Sequence, residues 1–267
     1  MPSELPDVIG VFDEASASYD SVGVDFFTPM GAELVRRTAV RPGEHVLDVG
    51  CGRGAVLLSA AEAAGPTGRV VGTDLAPGMV ERTAAATAHL PAVSVRVGDA
   101  QAPAFEPGSF DVVTAGLVLF FLPDPPAALA AYRNLLRPGG RLAFSSFAAF
   151  DPRYERAMKA IAAQATGLAA PHAFAEMFKT EATLRAALTA YADVRITEFT
   201  QVSRFADTGQ WMRWVGSHGG RQVLRAIPPE RMAAATEAAS AALAEARTAD
   251  GTIQCTTTIR IVVAATS

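Results

Sequence analysis

The run Val46-Leu47-Asp48-Val49-Gly50-Cys51-Gly52-Arg53-Gly54 constrains the fold of this chain more than any other segment. Val46, Leu47 and Val49, interrupted by Asp48, lead straight into three glycines at alternate positions, and an alanine- and leucine-rich stretch follows. That order reads as a strand, a tight turn and a helix. Glycines permit positive φ and let a ligand approach the backbone closely. The first turn of the helix offers unpaired N–H groups, which suit a carboxylate or a phosphate.

The same alternation continues over 45–147, the signature of βαβ units and a parallel sheet. Strands are predicted at 45–49, 69–73, 93–97, 110–115 and 141–147. Helices are predicted at 53–64, closed by Gly65-Pro66, from Pro77 onward, and at 125–136. Residues 69–73 read as a buried strand of the continuous hydrophobic kind around Val70-Val71, whereas Val93-Ser94-Val95-Arg96-Val97 alternates like a strand nearer the edge. Pro138-Gly139-Gly140 suits a type II turn into the fifth strand. Beyond 147 the pattern is mostly helical, at 152–164, 172–178 and 181–191, before a strand-like 194–205. A second helical block runs from Asp207 through 231–246 to the turn Asp250-Gly251, and 253–264 reads as a last strand. The expected organisation is an amino-terminal helical lid (1–44), a ligand-binding core (45–147), and helical cap insertions carrying the last two strands (148–267), all in a single structural domain. The lid would lie over the carboxyl edge of the sheet with Phe12, Tyr19, Phe26 and Phe27.

Composition narrows the function. Half of the 267 residues are hydrophobic and 19% are charged, enough for a sizeable core without disulfides or metals. A net charge of −4 offers no basic stripe for a phosphate backbone, so nucleic acid is not an expected partner. Cys51 and Cys255 stand far apart with no Cys-x-x-Cys or Cys/His cluster, which suggests neither a disulfide framework nor a zinc site and fits a reducing cytoplasm. Met1 to Gly10 has no basic segment followed by an apolar one, and no apolar run reaches the roughly 18 residues that a membrane span needs.

Asp74 closes the second predicted strand, where a carboxylate accepts hydrogen bonds from both hydroxyls of a ribose. Together with the glycine turn it indicates an adenosine-type cofactor. Gly50, Gly52 and Ala55 also satisfy the dinucleotide pattern G-x-G-x-x-G/A, so an NAD(P)-dependent oxidoreductase is an alternative. The joint set is more specific: D-x-G-x-G-x-G from Asp48 to Gly54, the acid at 74, Gly98-Asp99-Ala100 after the third strand, and Arg137-Pro138-Gly139-Gly140 before the fifth. This set resembles the class I S-adenosylmethionine-dependent methyltransferases, and within them the small-molecule enzymes of the ubiquinone/menaquinone-biosynthesis type. Phe12-Asp13 and Tyr19-Asp20 match a segment with which that family often begins.

The resemblance implies an α/β, Rossmann-like sheet of seven strands, five parallel in the core and an antiparallel edge, with helical caps. It implies S-adenosyl-L-methionine as cofactor. Asp48 and the backbone of Gly50, Gly52 and Gly54 would cradle the methionine portion, Asp74 the ribose with Leu75 beside it, and Asp99 with Ala100 the adenine edge. Gly116 would face the sulfonium, and Tyr19 would close over the methionine end.

Methyl transfer is an in-line displacement, so the protein must chiefly align the acceptor and exclude water. The fourth strand runs into Leu117-Val118-Leu119-Phe120-Phe121, an apolar edge that points to a hydrophobic small-molecule acceptor contacted by Leu117 and Phe120. Helical insertions should supply the rest, because open α/β sheets bind ligands at their carboxyl edge. Trp211 and Trp214 share a helical face there as acceptor contacts. His218, followed by two glycines, is the first candidate for a proton acceptor, and His172 is the second, since histidine titrates nearest neutrality. A second alternative is a cyclase or non-methylating binder that uses the positive sulfur for electrostatic assistance.

Overall fold

The computed structural model describes residues 8–167 and 176–267. In chain order its elements are α1 (Val8–Ala15), α2 (Phe27–Thr38), β1 (His45–Val49), α3 (Ala55–Ala64), β2 (Arg69–Asp74), α4 (Pro77–Thr87), β3 (Val93–Val97) and β4 (Phe110–Gly116). There follow α5 (Pro125–Leu135), β5 (Leu136–Phe150), α6 (Pro152–Ala162), α7 (Glu181–Ala187), β6 (Ala192–Phe205), α8 (Thr208–Val215), α9 (Arg221–Arg225), α10 (Met232–Ala242) and β7 (Ile253–Ala265). The seven strands form one sheet in the order β3-β2-β1-β4-β5-β7-β6. Strands β1 to β5 pair in parallel. β7 runs antiparallel to β5: Thr266 donates its N–H to the Gly140 carbonyl at one end, and Asp151 donates to Thr256 at the other, each at 2.9 Å.

Proline and acidic caps set the helix starts. Pro77, Pro125 and Pro152 occupy first-turn positions, where their fixed φ suits the helix and the missing N–H costs nothing. Asp124, Asp151 and Asp207 accept first-turn N–H groups from Ala127, Arg153 and Gln210 at 2.7–3.0 Å. The helix expected from residue 53 begins at Ala55, because Gly54 caps it with φ 88, a value that helical residues do not take. β5 absorbs the expected turn. Its pairing to β4 jumps from Phe110↔Leu136 to Val112↔Arg141, and Gly139 supplies the positive φ of 73 that a type II turn demands. The helix expected at 181–191 stops at Ala187. Of the helix expected at 172–178, the first four residues lie outside the described residues, and Glu176–Phe178 is a 3-10 turn.

The chain divides into two compact units. The sheet unit comprises residues 27–148, 173–199 and 259–267. Leu47, Val49, Val113, Ala115, Leu142 and Phe144 from its central strands form the core with Leu129 and Tyr132 of α5. The Tyr132 hydroxyl donates to the Ala100 carbonyl at 2.6 Å, fastening α5 to the end of β3. β3 is the exposed edge that its alternation predicts, and Arg96 shields it by lying 4.1 Å from the Phe105 ring centre. The helical unit comprises residues 1–26, 149–172 and 200–258. There α6 packs on α10, and α8 buries Trp211, Met212, Trp214 and Val215. The predicted amino-terminal segment is thus shared, 8–26 belonging to the helical unit and 27–44 to the sheet unit. Among the described residues, no helix is long and apolar enough to cross a membrane.

Candidate functional site

The parallel strands deliver the ends of β1, β2, β3 and β4 to one edge of the sheet unit. Gly50, Gly52 and Gly54 all hold positive φ, at 61, 50 and 88, so the loop after β1 has a conformation that L side chains resist. Its shape is braced from β2 and α4. Cys51 donates its N–H to the Thr73 carbonyl at 2.9 Å, Gly52 donates to Asp74 Oδ2 at 2.8 Å, and the Thr83 hydroxyl donates to the Gly52 carbonyl at 2.7 Å. Asp74 Oδ1 accepts the Ala76 N–H at 2.9 Å. A methyl group added at Gly52 would meet nothing within 4 Å, so the loop presents an open backbone face at that point.

Two carboxylates stand here with raised pKa values. Asp48 is 1% exposed, and burial pushes its carboxyl up to about 7 against the opposing hydrogen bond from Thr114. The Thr114 hydroxyl donates to Asp48 Oδ1 at 2.8 Å and the Leu57 backbone N–H also favours the ionised carboxyl, while Oδ2 makes no hydrogen bond of good geometry among the described residues. Burial also raises Asp74, although backbone N–H groups of Ala76 and Gly52 oppose it. Beside Asp74, Leu75 is 39% exposed, and at the end of β3 Val97 is 56% exposed. Gly98 donates its N–H to the Asp74 carbonyl at 3.0 Å. Asp99 Oδ1 accepts the Gln101 N–H at 2.8 Å, and Ala100 is buried. The last residue of β4, Gly116, faces Val56, whose methyl would stand 2.7 Å from an added Cβ. A buried carboxyl, a bare glycine backbone, an acid on the neighbouring strand and two exposed apolar side chains together suit a cationic nucleoside.

A model described as a methyltransferase domain matches residues 47–144. The chain is 40% identical over 243 residues to Nocamycin O-methyltransferase of Saccharothrix syringae, covering 84% of this chain and 86% of that one. It is 49% identical over 141 residues to an aklanonic acid methyltransferase of a Streptomyces strain, covering 52% of this chain and 64% of the other. It belongs to the class I S-adenosylmethionine-dependent methyltransferases. The structure of the YcgJ protein of Bacillus subtilis superposes with a TM-score of 0.59 at 16% identity, over 88% of this chain and 97% of that one, which extends the likeness of fold to nearly the whole molecule.

The methyltransferase uses S-adenosyl-L-methionine to methylate small molecules, and the residues at its sheet edge fit that cofactor. The unpartnered Oδ2 of Asp48 is a ready acceptor for a cationic group, and the open face of Gly52 is a cradle that a Cβ would fill. The sheet unit brings together Asp48, Gly50, Gly52, Gly54, Asp74, Leu75, Asp99, Ala100 and Gly116, with Leu117 and Phe120 just beyond β4. Leu119, in the same apolar run, is fully buried and belongs to the core. Phe120 is half-buried in a ring cluster, 4.6 Å from Phe121, 5.5 Å from Phe147 and 6.2 Å from Phe178.

Tyr19, Trp211, Trp214 and His218 belong to the helical unit, and His172 lies outside the described residues. The Tyr19 ring stands 6.2 Å from Phe12. Trp211 and Trp214 are buried, each about 6 Å from the Tyr154 ring, and their indole N–H groups have no partner among the described residues. His218 packs edge-on to Trp214 at 4.5 Å, with Nδ1 turned toward the Gly220 N–H at 3.5 Å. Burial pulls its pKa down to about 4, so the imidazole is neutral near pH 7 and a weak base. Sequence reasoning missed Thr114 and Thr83, which brace Asp48 and the glycine loop. The one signal was a hydroxyl residue in the otherwise apolar run Val112-Val113-Thr114-Ala115.

Proposed function

We propose that this methyltransferase transfers its methyl group to an oxygen of an apolar organic acid in specialised metabolism. The observation that carries the reading is the 40% identity to an enzyme named for O-methylation, spread over most of both chains. The match to a methyltransferase named for aklanonic acid supports an acid as acceptor. A carboxylate acceptor arrives already ionised and needs no base.

S-adenosylmethionine, when bound, supplies an electrophilic methyl group on a positively charged sulfur. In this reading Asp48 and the backbone of Gly50, Gly52 and Gly54 hold its methionine end. Asp74 accepts from the ribose hydroxyls with the lone pairs left beyond its loop hydrogen bonds. Leu75 and Ala100 flank the adenine, and Asp99 takes its edge. Gly116, whose bare Cα lets Val56 pack against the end of β4, offers only its backbone to the reacting end. Leu117 and Phe120 contact the apolar body of the acceptor and exclude water from it. The buried thiols of Cys51 and Cys255, neither in a disulfide, are consistent with work in a reducing cytoplasm.

The test incubates the protein with S-adenosylmethionine and a series of aromatic and polyketide acids. Formation of S-adenosylhomocysteine with a product heavier by one CH₂, from which mild alkali regenerates the acid, is the expected result. A methylated product that resists alkali assigns the methyl to an ether oxygen, nitrogen or carbon and overturns the carboxylate reading.

A further inference from the structure

Leu117 is a non-glycine residue with φ 56, immediately after β4. A leucine in the left-handed region is strained by its Cβ, so something must hold it there. Its N–H donates to the Ser145 hydroxyl at 3.1 Å in a buried setting, and Ser145 sits on β5 directly opposite Gly116 in the register. A backbone N–H buried beside an apolar side chain would otherwise stay unsatisfied, which is costly. The hydrogen bond can therefore hold the strained turn in place.

The turn has a second consequence. It carries the chain into a 3-10 turn at Leu119–Phe121, anchored by the fully buried Leu119, and aims the side chain of Val118 at the glycine loop. There the two methyls of Val118 stand 2.4 and 2.9 Å from where a Cβ on Gly50 would be. Val118 is thus seated against the bare Cα of Gly50, and the position of Leu117 sets the position of that contact. All four residues lie within the sheet unit.

We infer that Ser145 is a positioning residue for the cofactor site: its hydroxyl locks Leu117 in the left-handed turn, and the turn presses Val118 onto Gly50 and holds the glycine loop in its binding shape. The inference rests on the reading of that loop as the cradle of the methionine end. Without the hydroxyl, Leu117 relaxes toward negative φ, Val118 withdraws, and the loop loses its support on that side.

The experiment titrates S-adenosylhomocysteine into the purified full chain by calorimetry and needs no acceptor. Ser145→Ala should bind about tenfold more weakly than the unmodified protein, with melting temperature lowered by only a few degrees. Ser145→Thr, which keeps the hydroxyl, should restore most of the affinity. Leu117→Gly should rescue Ser145→Ala, since glycine takes positive φ without a clamp, and a residue that merely packs would show no such rescue. Equal affinity in Ser145→Ala, or a double variant no better than Ser145→Ala, overturns the inference. Failure of the unmodified protein to bind would instead count against the reading of the loop itself.

Discussion

Gly50 and Gly52 stand in the same loop, two residues apart, with nearly equal φ of 61 and 50. An alanine at either position therefore meets the same left-handed penalty, about 1–2 kcal/mol. Their surroundings separate them. At Gly50 the new methyl would lie 2.4 Å from Val118 Cγ2, which forces a shift and adds about 1–3 kcal/mol of overpacking. At Gly52 it would touch no protein atom within 4 Å. With roughly 2–4 °C per kcal/mol for a chain of this size, Gly50→Ala should melt about 2–12 °C below Gly52→Ala in the absence of ligand. The ranking should change when S-adenosylhomocysteine is titrated. The methyl at residue 52 stands on the open face of the loop, so Gly52→Ala loses tenfold or more in affinity despite its milder loss of stability. Ligand-free melting curves and calorimetry on both variants decide the matter. Wild-type affinity in Gly52→Ala, or melting below Gly50→Ala, would refute the assignment of an inner and an outer face to this loop.

Asp74→Ala removes the acceptor of both the Gly52 and Ala76 N–H groups as well as the proposed ribose contact. Affinity for S-adenosylhomocysteine should fall about tenfold to a hundredfold, and unchanged binding in a folded variant would remove Asp74 from the site. Asp48, raised from 3.8 to about 7, binds a proton in the folded chain where the unfolded chain does not. Its contribution to stability is full below pH 3.8 and lost as the pH rises through about 7, so Asp48→Asn should flatten the decline in ligand-free melting temperature across that window. An identical slope in the variant would show that this carboxyl is not raised. His218, held at about 4, stays neutral over the working range, so His218→Gln should keep the unmodified protein's kcat/KM–pH profile between about pH 5 and 9. Loss of a limb near pH 6 to 7 in that variant would restore His218 as a proton acceptor.

Strand positions in the sheet unit were legible because each is a short apolar run punctuated by glycine or proline, and such local signals need no partner to be read. β1, β3 and the start of α4 at Pro77 fall where the spacing predicts them. The boundaries that moved were settled by contacts distant in sequence. Pairing with Phe110 draws Leu136 into β5 ahead of the turn, and the left-handed Gly54 delays α3 by two residues.

The same division holds for the site. Residue type and spacing alone determined the glycine loop, the acid at 74 and the Gly98-Asp99-Ala100 segment, because the backbone freedom of glycine and the charge of a carboxylate are properties of the residue itself. Only the tertiary structure decided that Asp48 is buried with one oxygen unpartnered, that Thr114 and Thr83 brace the loop, and that Val118 lies against Gly50. It also turned His218 from a group expected to titrate near neutrality into one held neutral. Burial, hydrogen-bond partners and the pKa values that follow from them depend on which segments fold against one another, and spacing along a chain does not carry that information.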